Sequence, residues 1–282
     1  MIERIYIPTV RRATKQISFL NLPDELKKRV IMVIDPNEKH LYNYDCEYLC
    51  IPENLVGTWT QLSETRLFIH KHAGDIRYAV VDDDLILKKR NQKYFGDVSD
   101  METSKRPATP NEIMRMYNLM NEWLDEDNIG ICGISDAGIP PGDKRYLDTV
   151  NVFAYTFYDG AVISKHINDM NITSNRIAED ITFMFECFSR GINSRKSCEF
   201  MYDNRSTTKE LEDTRIIWKD MFDKMPDNVF QSDEHHKAII DLKKRYPYAI
   251  DIFEKDGKTK YRYHMKEVYK RSQVSNTIEE FM

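Results

Sequence analysis

Four short runs of bare apolar residues constrain this chain more than any other feature. Ile5-Tyr6-Ile7 stops at Pro8, Val30–Ile34 at Asp35-Pro36, Tyr48–Ile51 at Pro52, and Tyr78–Val81 at three consecutive acids. None of the four alternates with polar side chains, so each reads as a strand buried on both faces. A helix candidate, Thr60–His72, lies before the fourth run, with Gly74 as its stop. Strands and helices that take turns in this way predict an α/β sandwich around a mostly parallel sheet. The 282 residues, 41% of them hydrophobic, are enough for one large domain with an appendage.

Further along, Leu87–Pro110 is polar and aperiodic and reads as a long functional loop. Thr109-Pro110-Asn111-Glu112 then combines a cap, a first-turn Pro and a capping-box Glu, and so predicts a helix start. Ile113, Met116, Tyr117, Met120, Trp123 and Leu124 follow at helical spacing, a stripe most simply explained as core. Ile129–Ile134 and Val152–Phe157 read as strands around a turn-rich loop, Asp136–Tyr146. A second helix begins near Ala178, with Ile181, Met184, Phe185 and Phe188 on one face and Gly191 as its stop. Arg195–Tyr202 reads as a strand. The rest is expected to be mostly helical, with a hairpin over Phe253–Tyr263 turning at Asp256-Gly257. These readings divide the chain into a domain over residues 1–205 and a helical, partly basic extension over 206–282.

Composition removes several classes. A net charge of -5 argues against a polybasic whole-chain binder. No window approaches the about 18 apolar residues of a membrane span, and the first residues lack a basic-then-apolar signal, so a cytoplasmic protein is expected. The five Cys form no CxxC pair, and Cys46 and Cys50 lack the further ligands of a structural zinc site.

Two acidic motifs stand where chemistry is easily placed. Asp82-Asp83-Asp84 directly follows the YAVV strand, and open α/β sheets bind ligands at the carboxyl ends of their strands. On an extended chain Asp82 and Asp84 point the same way and suit one hard cation, Mg2+ or Mn2+. Glu179-Asp180 opens the second helix. Favourable interaction with the helix dipole explains it most simply, and the same field keeps a carboxylate ionised and fit to act as a base.

Together, IYIPT (Ile5–Thr9), AVVDDD (Ala79–Asp84) and AEDITFMFECFSRG (Ala178–Gly191) resemble the GT-A nucleotide-sugar glycosyltransferases over roughly residues 1–205. The blocks IYIPTVRRATKQISFLNLP and GTWTQLSETRLFIHKHAGDIRYAVVDDDL are similar to a phage-rich branch associated with TET/JBP-type base hydroxylases, whose members are thought to glycosylate hydroxymethylated pyrimidines in DNA. The resemblance implies a GT-A-like, Rossmann-like fold, a UDP-sugar donor and a DNA acceptor in the host cytoplasm. By the same resemblance Thr9 seats the uridine, Arg11 and Arg12 meet diphosphate or DNA phosphate, Arg66 meets the diphosphate, and Asp35 faces the nucleoside. Asp82, Asp83 and Asp84 match the Asp-x-Asp region, with Asp82 on the nucleoside side and Asp84 on the metal. Asp180, with Glu179 as the alternative, matches the base of inverting members.

The resemblance also implies a third metal ligand, a His near the C-terminal end of the domain. His235, His236 and His264 compete for that role, His166 is a further option, and His235 is the choice carried forward. Finally, Lys255–Arg271 holds seven Lys/Arg against two acids, with Tyr261, Tyr263 and Tyr269 interleaved. An ordinary exposed hairpin and helix account for it, unless the acceptor is DNA, when it suits phosphates and bases. Lys88–Arg106 adds basic residues to the same expectation. The function expected is metal-dependent, inverting sugar transfer to a modified base. The alternatives are a GT-A enzyme on another acceptor, a non-catalytic nucleic-acid binder, and a metal-dependent nuclease built on Asp82–Asp84.

Overall fold

The computed structural model describes residues 1–57, 61–91, 105–138, 144–173, 178–204 and 233–280. The apolar runs become β1 (Arg4–Pro8), β2 (Val30–Ile34), β3 (Glu47–Cys50) and β4 (Arg77–Val81). Two short helices, α1 (Ile17–Asn21) and α2 (Asp24–Lys27), join β1 to β2, and α3 (Gln61–Ala73) precedes β4. Thr60, the expected start of α3, lies outside the described residues. Then come β5 (Leu85–Arg90), β6 (Lys105–Pro107), α4 (Pro110–Leu124), β7 (Ile129–Asp136), β8 (Tyr146–Asp148) and β9 (Tyr155–Asp159). They are followed by α5 (Gly160–Ile163), α6 (Glu179–Ser189), β10 (Asn193–Asn204), α7 (Asp233–Arg245), β11 (Ile250–Lys255), β12 (Lys258–Tyr263) and α8 (Met265–Glu280).

The main sheet runs β3-β2-β1-β4-β9-β7-β10-β5-β6, with β8 added beside β10. Its N-terminal half, β3-β2-β1-β4, is parallel, as bare apolar runs joined by helices require. β7 and β10 also pair in parallel, while β9, β5, β6 and β8 run antiparallel to their neighbours. The fold is α/β, with helices on both faces. Phe19, Leu26, Met116 and Met120 from α1, α2 and α4 cover Ile5, Ile7, Met32 and Ile34 on one side. On the other, Ile69, Ile163, Phe185 and Phe188 from α3, α5 and α6 cover Tyr6, Ile31, Tyr78 and Val80. Ile239, Leu242, Ile250, Met265 and Val268 join that second core, which ties α7, the hairpin and α8 to α6. Among the described residues no helix is long and apolar enough to cross a membrane.

Local signals are met closely in two places. At α4 the Thr109 amide donates to Glu112 Oε2 at 3.0 Å, and the Glu112 amide donates to Thr109 Oγ1 at 3.4 Å. At the hairpin, Asp256 and Gly257 take φ of 55° and 67°, the left-handed pair that suits a two-residue turn. One expectation fails in part. Residues 87–90, read as the start of a loop, complete β5, and 105–107 form β6. Lys88 and Arg90 are buried, and each reaches a group distant in sequence. Lys88 pairs with Asp203, and Arg90 Nε donates to the Cys198 carbonyl at 3.2 Å. Residues 92–104 of that stretch, 139–143 of the other expected loop, and 206–232 of the extension lie outside the described residues. The strand expected at Val152–Phe157 begins later, at Tyr155, after Ala154 adopts a left-handed φ of 59°.

Gly160, the first residue of α5, allows backbone to approach backbone. A Cβ there would lie 2.0 Å from the Ile76 carbonyl oxygen and 2.5 Å from that of Gly74. Because main chain cannot swing aside as a side chain can, Gly160→Ala is expected to destabilise the fold by about 1–3 kcal/mol. The midpoint of urea unfolding measures this, and an unchanged midpoint would contradict the close packing.

Candidate active site

The strand order places a crevice. From β1 the chain moves to β2 and β3 on one side and later to β4 on the other, so β1 and β4 flank a switch in winding direction. Such switch points open a cleft beyond the carboxyl ends of the strands. Thr9 follows β1 there and Asp82-Asp83-Asp84 follows β4.

The three aspartates do not continue the strand. The chain turns directly after Val81, so alternation along an extended segment does not govern where the side chains point. Ser18 fastens the turn. Its Oγ donates to the Asp82 carbonyl at 2.5 Å, its amide donates to the Asp83 carbonyl at 3.0 Å, and its Oγ accepts from the Leu85 amide at 2.8 Å. Asp83 points inward. Its Oδ2 accepts from Thr9 Oγ1 at 2.6 Å and its Oδ1 from Arg12 Nη1 at 2.6 Å. The same Arg12 nitrogen reaches Asp84 Oδ2 at 3.1 Å. Gln16 Nε2 donates to Thr9 Oγ1 at 2.8 Å, and the Tyr42 hydroxyl lies 3.4 Å from it. Asp83 and Thr9 thus form one buried polar unit between β1 and β4, and Asp83, more than Asp82, occupies the side next to Thr9.

Asp82 faces another partner. Arg66, from α3, places Nη2 3.3 Å from Asp82 Oδ1 and Nε 3.4 Å from Glu179 Oε1. One guanidinium therefore bridges the end of β4 and the start of α6. Ala178, immediately before α6, adopts a left-handed backbone (φ 74°), a conformation that costs a non-glycine residue about 1 kcal/mol or more. It leads directly into Glu179, which is buried, and Asp180, whose Oδ1 accepts from the Ile181 amide at 2.7 Å. Ala178 supplies no cap, and Asp180 satisfies a first-turn amide with its own side chain, as an acid at a helix start ordinarily does.

The electrostatics follow from crowding. Burial pushes the Asp82 carboxyl up to about 6 against the pull of Arg66, and the charges of Asp84, Asp83 and Asp180 add to the rise. The Asp82 side chain is 37% exposed toward the crevice, so water moderates this effect. Burial also raises Glu179 and Asp180, Asp180 further raising Glu179, while Arg66 opposes both shifts. Burial works against the Arg66 charge, but Asp82 and Glu179 hold its pKa above the ordinary value. His70, beneath this group, is driven down to about 3 by burial and by Arg66, so it stays neutral. It stacks on Phe183 with ring centroids 4.6 Å apart and bonds the Tyr78 hydroxyl at 2.5 Å.

The remaining predicted residues fall in different places. Asp35 caps a 3-10 turn at Pro36–Leu41, accepting from the Asn37 amide at 2.8 Å and from its Nδ2 at 3.0 Å, so its carboxylate is engaged locally. Arg11 has a left-handed φ of 54°, and its amide donates to Glu38 Oε2 at 2.7 Å. His235 lies near Asp180, whose charge counters the downward push of burial on the imidazole. His236 bonds the Tyr261 hydroxyl through Nδ1 at 2.9 Å instead. Among the described residues no three His, Cys, Asp or Glu side chains converge as a metal site, so His235 is not grouped with Asp82 and Asp84. The donor set nevertheless suits a hard divalent cation that takes one or two carboxylates and completes its shell with phosphate oxygens. Asp82 and Asp84 each face an arginine here, Arg66 and Arg12, so a cation on them would share their charge with those side chains. Gln16, Ser18 and Tyr42 escaped sequence reasoning. Gln16 and Ser18 sit in a segment with no acid or His to draw attention, and Tyr42 sits in a turn.

No family model matches the chain, and no curated protein matches it. Solved structures overlap it in part. One is described as a glucose-1-phosphate thymidylyltransferase from Bacillus anthracis in complex with a sucrose. It is 10% identical, with a TM-score of 0.36, over 77% of this chain and 95% of the other. A UDP-glucose pyrophosphorylase from Acinetobacter baumannii is 11% identical, with a TM-score of 0.41, over 86% of this chain and 100% of the other. At scores this low the overlaps carry no weight for the site, whose reading rests on its own residues.

Proposed function

We propose that this chain transfers a sugar from a UDP-sugar to a hydroxyl by direct displacement. One observation carries the reading. Carboxylates from the end of β4 and from the start of α6, Asp82 and Glu179, meet on one half-buried arginine, Arg66, beside the β1–β4 switch point, with Asp84 and Asp180 adjacent to them. Crowded acids of this kind at a strand-end crevice suit a cation–diphosphate substrate and a general base.

In this reading the Thr9–Asp83 unit, with Tyr42, seats the nucleoside. Arg12 holds Asp83 and Asp84 in place and is near enough to share the diphosphate. Asp82 and Asp84 would hold Mn2+ or Mg2+, which when bound offsets the charge that develops on the leaving diphosphate. Asp180 accepts the proton of the incoming hydroxyl, with Glu179 as the alternative base. A single displacement inverts the anomeric centre. Arg66 opposes the upward push of burial on both acids, yet both stay above their ordinary values, Glu179 at about 8.

The acceptor favoured by the resemblance is a hydroxymethylated pyrimidine in DNA, which must be flipped out or single-stranded to be reached. A saturating mixture of UDP and Mn2+ is expected to raise the unfolding temperature, and neither alone should do so. At a hundredfold excess over Kd the gain is about 2.7 kcal/mol. Differential scanning calorimetry measures it, and no shift with the pair would count against the site. Mass spectrometry of nucleosides from hydroxymethylpyrimidine DNA, incubated with UDP-sugars and Mn2+, tests the acceptor. Consumption of UTP and a sugar phosphate with release of pyrophosphate would replace sugar transfer by nucleotidyl transfer.

A further inference from the structure

The β11–β12 hairpin separates its charges by face. In an antiparallel pair, directly opposed residues share a face and successive residues alternate. The register opposes Asp251 to Arg262, Phe253 to Lys260, and Lys255 to Lys258, so these six lie on one face. Ile250, Ile252, Glu254, Thr259, Tyr261 and Tyr263 form the other.

The second face turns inward. Tyr261 meets His235 edge-on at 5.3 Å between centroids and bonds His236, and Tyr263 packs on Phe185 at 6.2 Å. Phe185 belongs to α6, the helix that Glu179 and Asp180 open, so this face packs on the element that carries the candidate base. The outward face carries Lys255, Lys258, Lys260 and Arg262, all exposed, against one acid, Asp251. That acid is engaged by His264 Nε2 at 2.8 Å. Among the described residues none of the four cations forms an ion pair, and Arg262 lies over the Phe253 ring at 5.4 Å. Lys255 directly opposes Lys258, a like-charge cross-strand pair that weakens a hairpin.

We infer that this outward face binds the phosphodiester backbone of DNA. Along β12, Lys258, Lys260 and Arg262 form a row with steps of about 6.8 Å, which suits a linear polyanion. Phe253 adds an aromatic surface beside the row, as single-strand binders use for bases. The large exposed hydrophobic side chains among the described residues, Met1, Leu20, Leu41, Tyr146, Leu147 and Val274, all lie off the hairpin. It therefore lacks both the apolar wedge of a membrane-inserting surface and the apolar centre of a protein interface. That this DNA is the acceptor rests on the proposed transferase reading, whereas DNA binding by the hairpin does not.

The test is fluorescence anisotropy of a labelled, unmodified single-stranded DNA oligonucleotide titrated with the full chain over a range of NaCl concentrations. The double variant Lys258→Gln, Lys260→Gln is expected to bind more weakly, with the slope of log K against log salt reduced by about 1.4, two phosphate contacts at about 0.7 each. Equal affinity and slope in the two proteins would overturn the inference. So would binding to equal-part phosphatidylserine–phosphatidylcholine vesicles without binding to DNA. Circular dichroism and the unfolding midpoint check that the variant folds. The rise in unfolding temperature given by UDP with Mn2+ is expected to be equal in both proteins. Its absence from both would remove the transferase reading and leave the DNA titration to decide the hairpin.

Discussion

Asp180→Asn is expected to lower sugar transfer by about 10²–10⁴-fold, the usual contribution of a positioned general base, while UDP and Mn2+ still bind. The amide keeps the shape of the carboxylate and its acceptor oxygen toward the Ile181 amide, so α6 is expected to begin as before. Only the capacity to take a proton is lost. Glu179→Gln provides the comparison. The Glu179 carboxylate is buried against Arg66, which makes it the less accessible of the two to an incoming hydroxyl. Its loss should cost much less in turnover. Single-turnover kinetics with pre-bound donor separates the two residues. Near-normal turnover by Asp180→Asn, with a collapse in Glu179→Gln, would exchange their roles, and normal turnover in both would move the base elsewhere.

Arg66→Met is expected to affect both stability and chemistry. Removing one partner of a buried ion pair leaves the other charge uncompensated, at a cost of about 3–5 kcal/mol. A value near 3 kcal/mol is expected here, since Asp82 is 37% exposed and water screens part of the loss. Without Arg66 the carboxyls of Asp82 and Glu179 rise further above their unfolded values, because its charge was lowering both. A carboxyl with a raised folded pKa binds more protons in the folded state, so the stability it contributes is present at low pH and lost as pH rises. The destabilisation should therefore shrink as pH is lowered and the two groups take up protons. The acidic limb of the transfer profile should shift to higher pH, because Asp180 also loses the lowering effect of Arg66 and must still be ionised to act. Urea unfolding across pH and a pH–rate profile measure these effects. Arg66→Lys keeps the charge but not the fork that reaches two carboxylates, and should fall between wild type and Arg66→Met. If Arg66→Met unfolds with the same midpoint at every pH, Arg66 does not hold the acids together.

The readings that succeeded depend on local chemistry. VIMVI and YAVV have no polar face to offer water, so a doubly covered strand inside the sheet was the only economical fate for them, and β2 and β4 each lie between two other strands. Thr109 with Glu112, and Asp256 with Gly257, act through hydrogen bonds and backbone angles a few residues apart, so their roles were visible before any tertiary contact was known. The misreading of residues 87–90 has the opposite cause. Lys88 and Arg90 look like solvent-facing residues, and only the arrival of β10, more than 100 residues later, supplies the Asp203 and Cys198 groups that make their burial tolerable.

The candidate site divides in the same way. That acids would stand at the end of β4 and at the start of α6 was legible from Asp82–Asp84 and Glu179–Asp180, because an apolar run and an amphipathic stripe mark where each element stops. Which acid turns inward, which arginine grips which carboxylate, and which of two adjacent histidines faces Asp180 were not. Those outcomes depend on side chains brought together from positions tens of residues apart, Thr9 with Asp83 and Arg66 with Glu179 among them. Periodicity and turn preference record only which face of an element is buried and where the chain reverses. The sheet order, set by packing over the whole chain, decides which charges share a crevice.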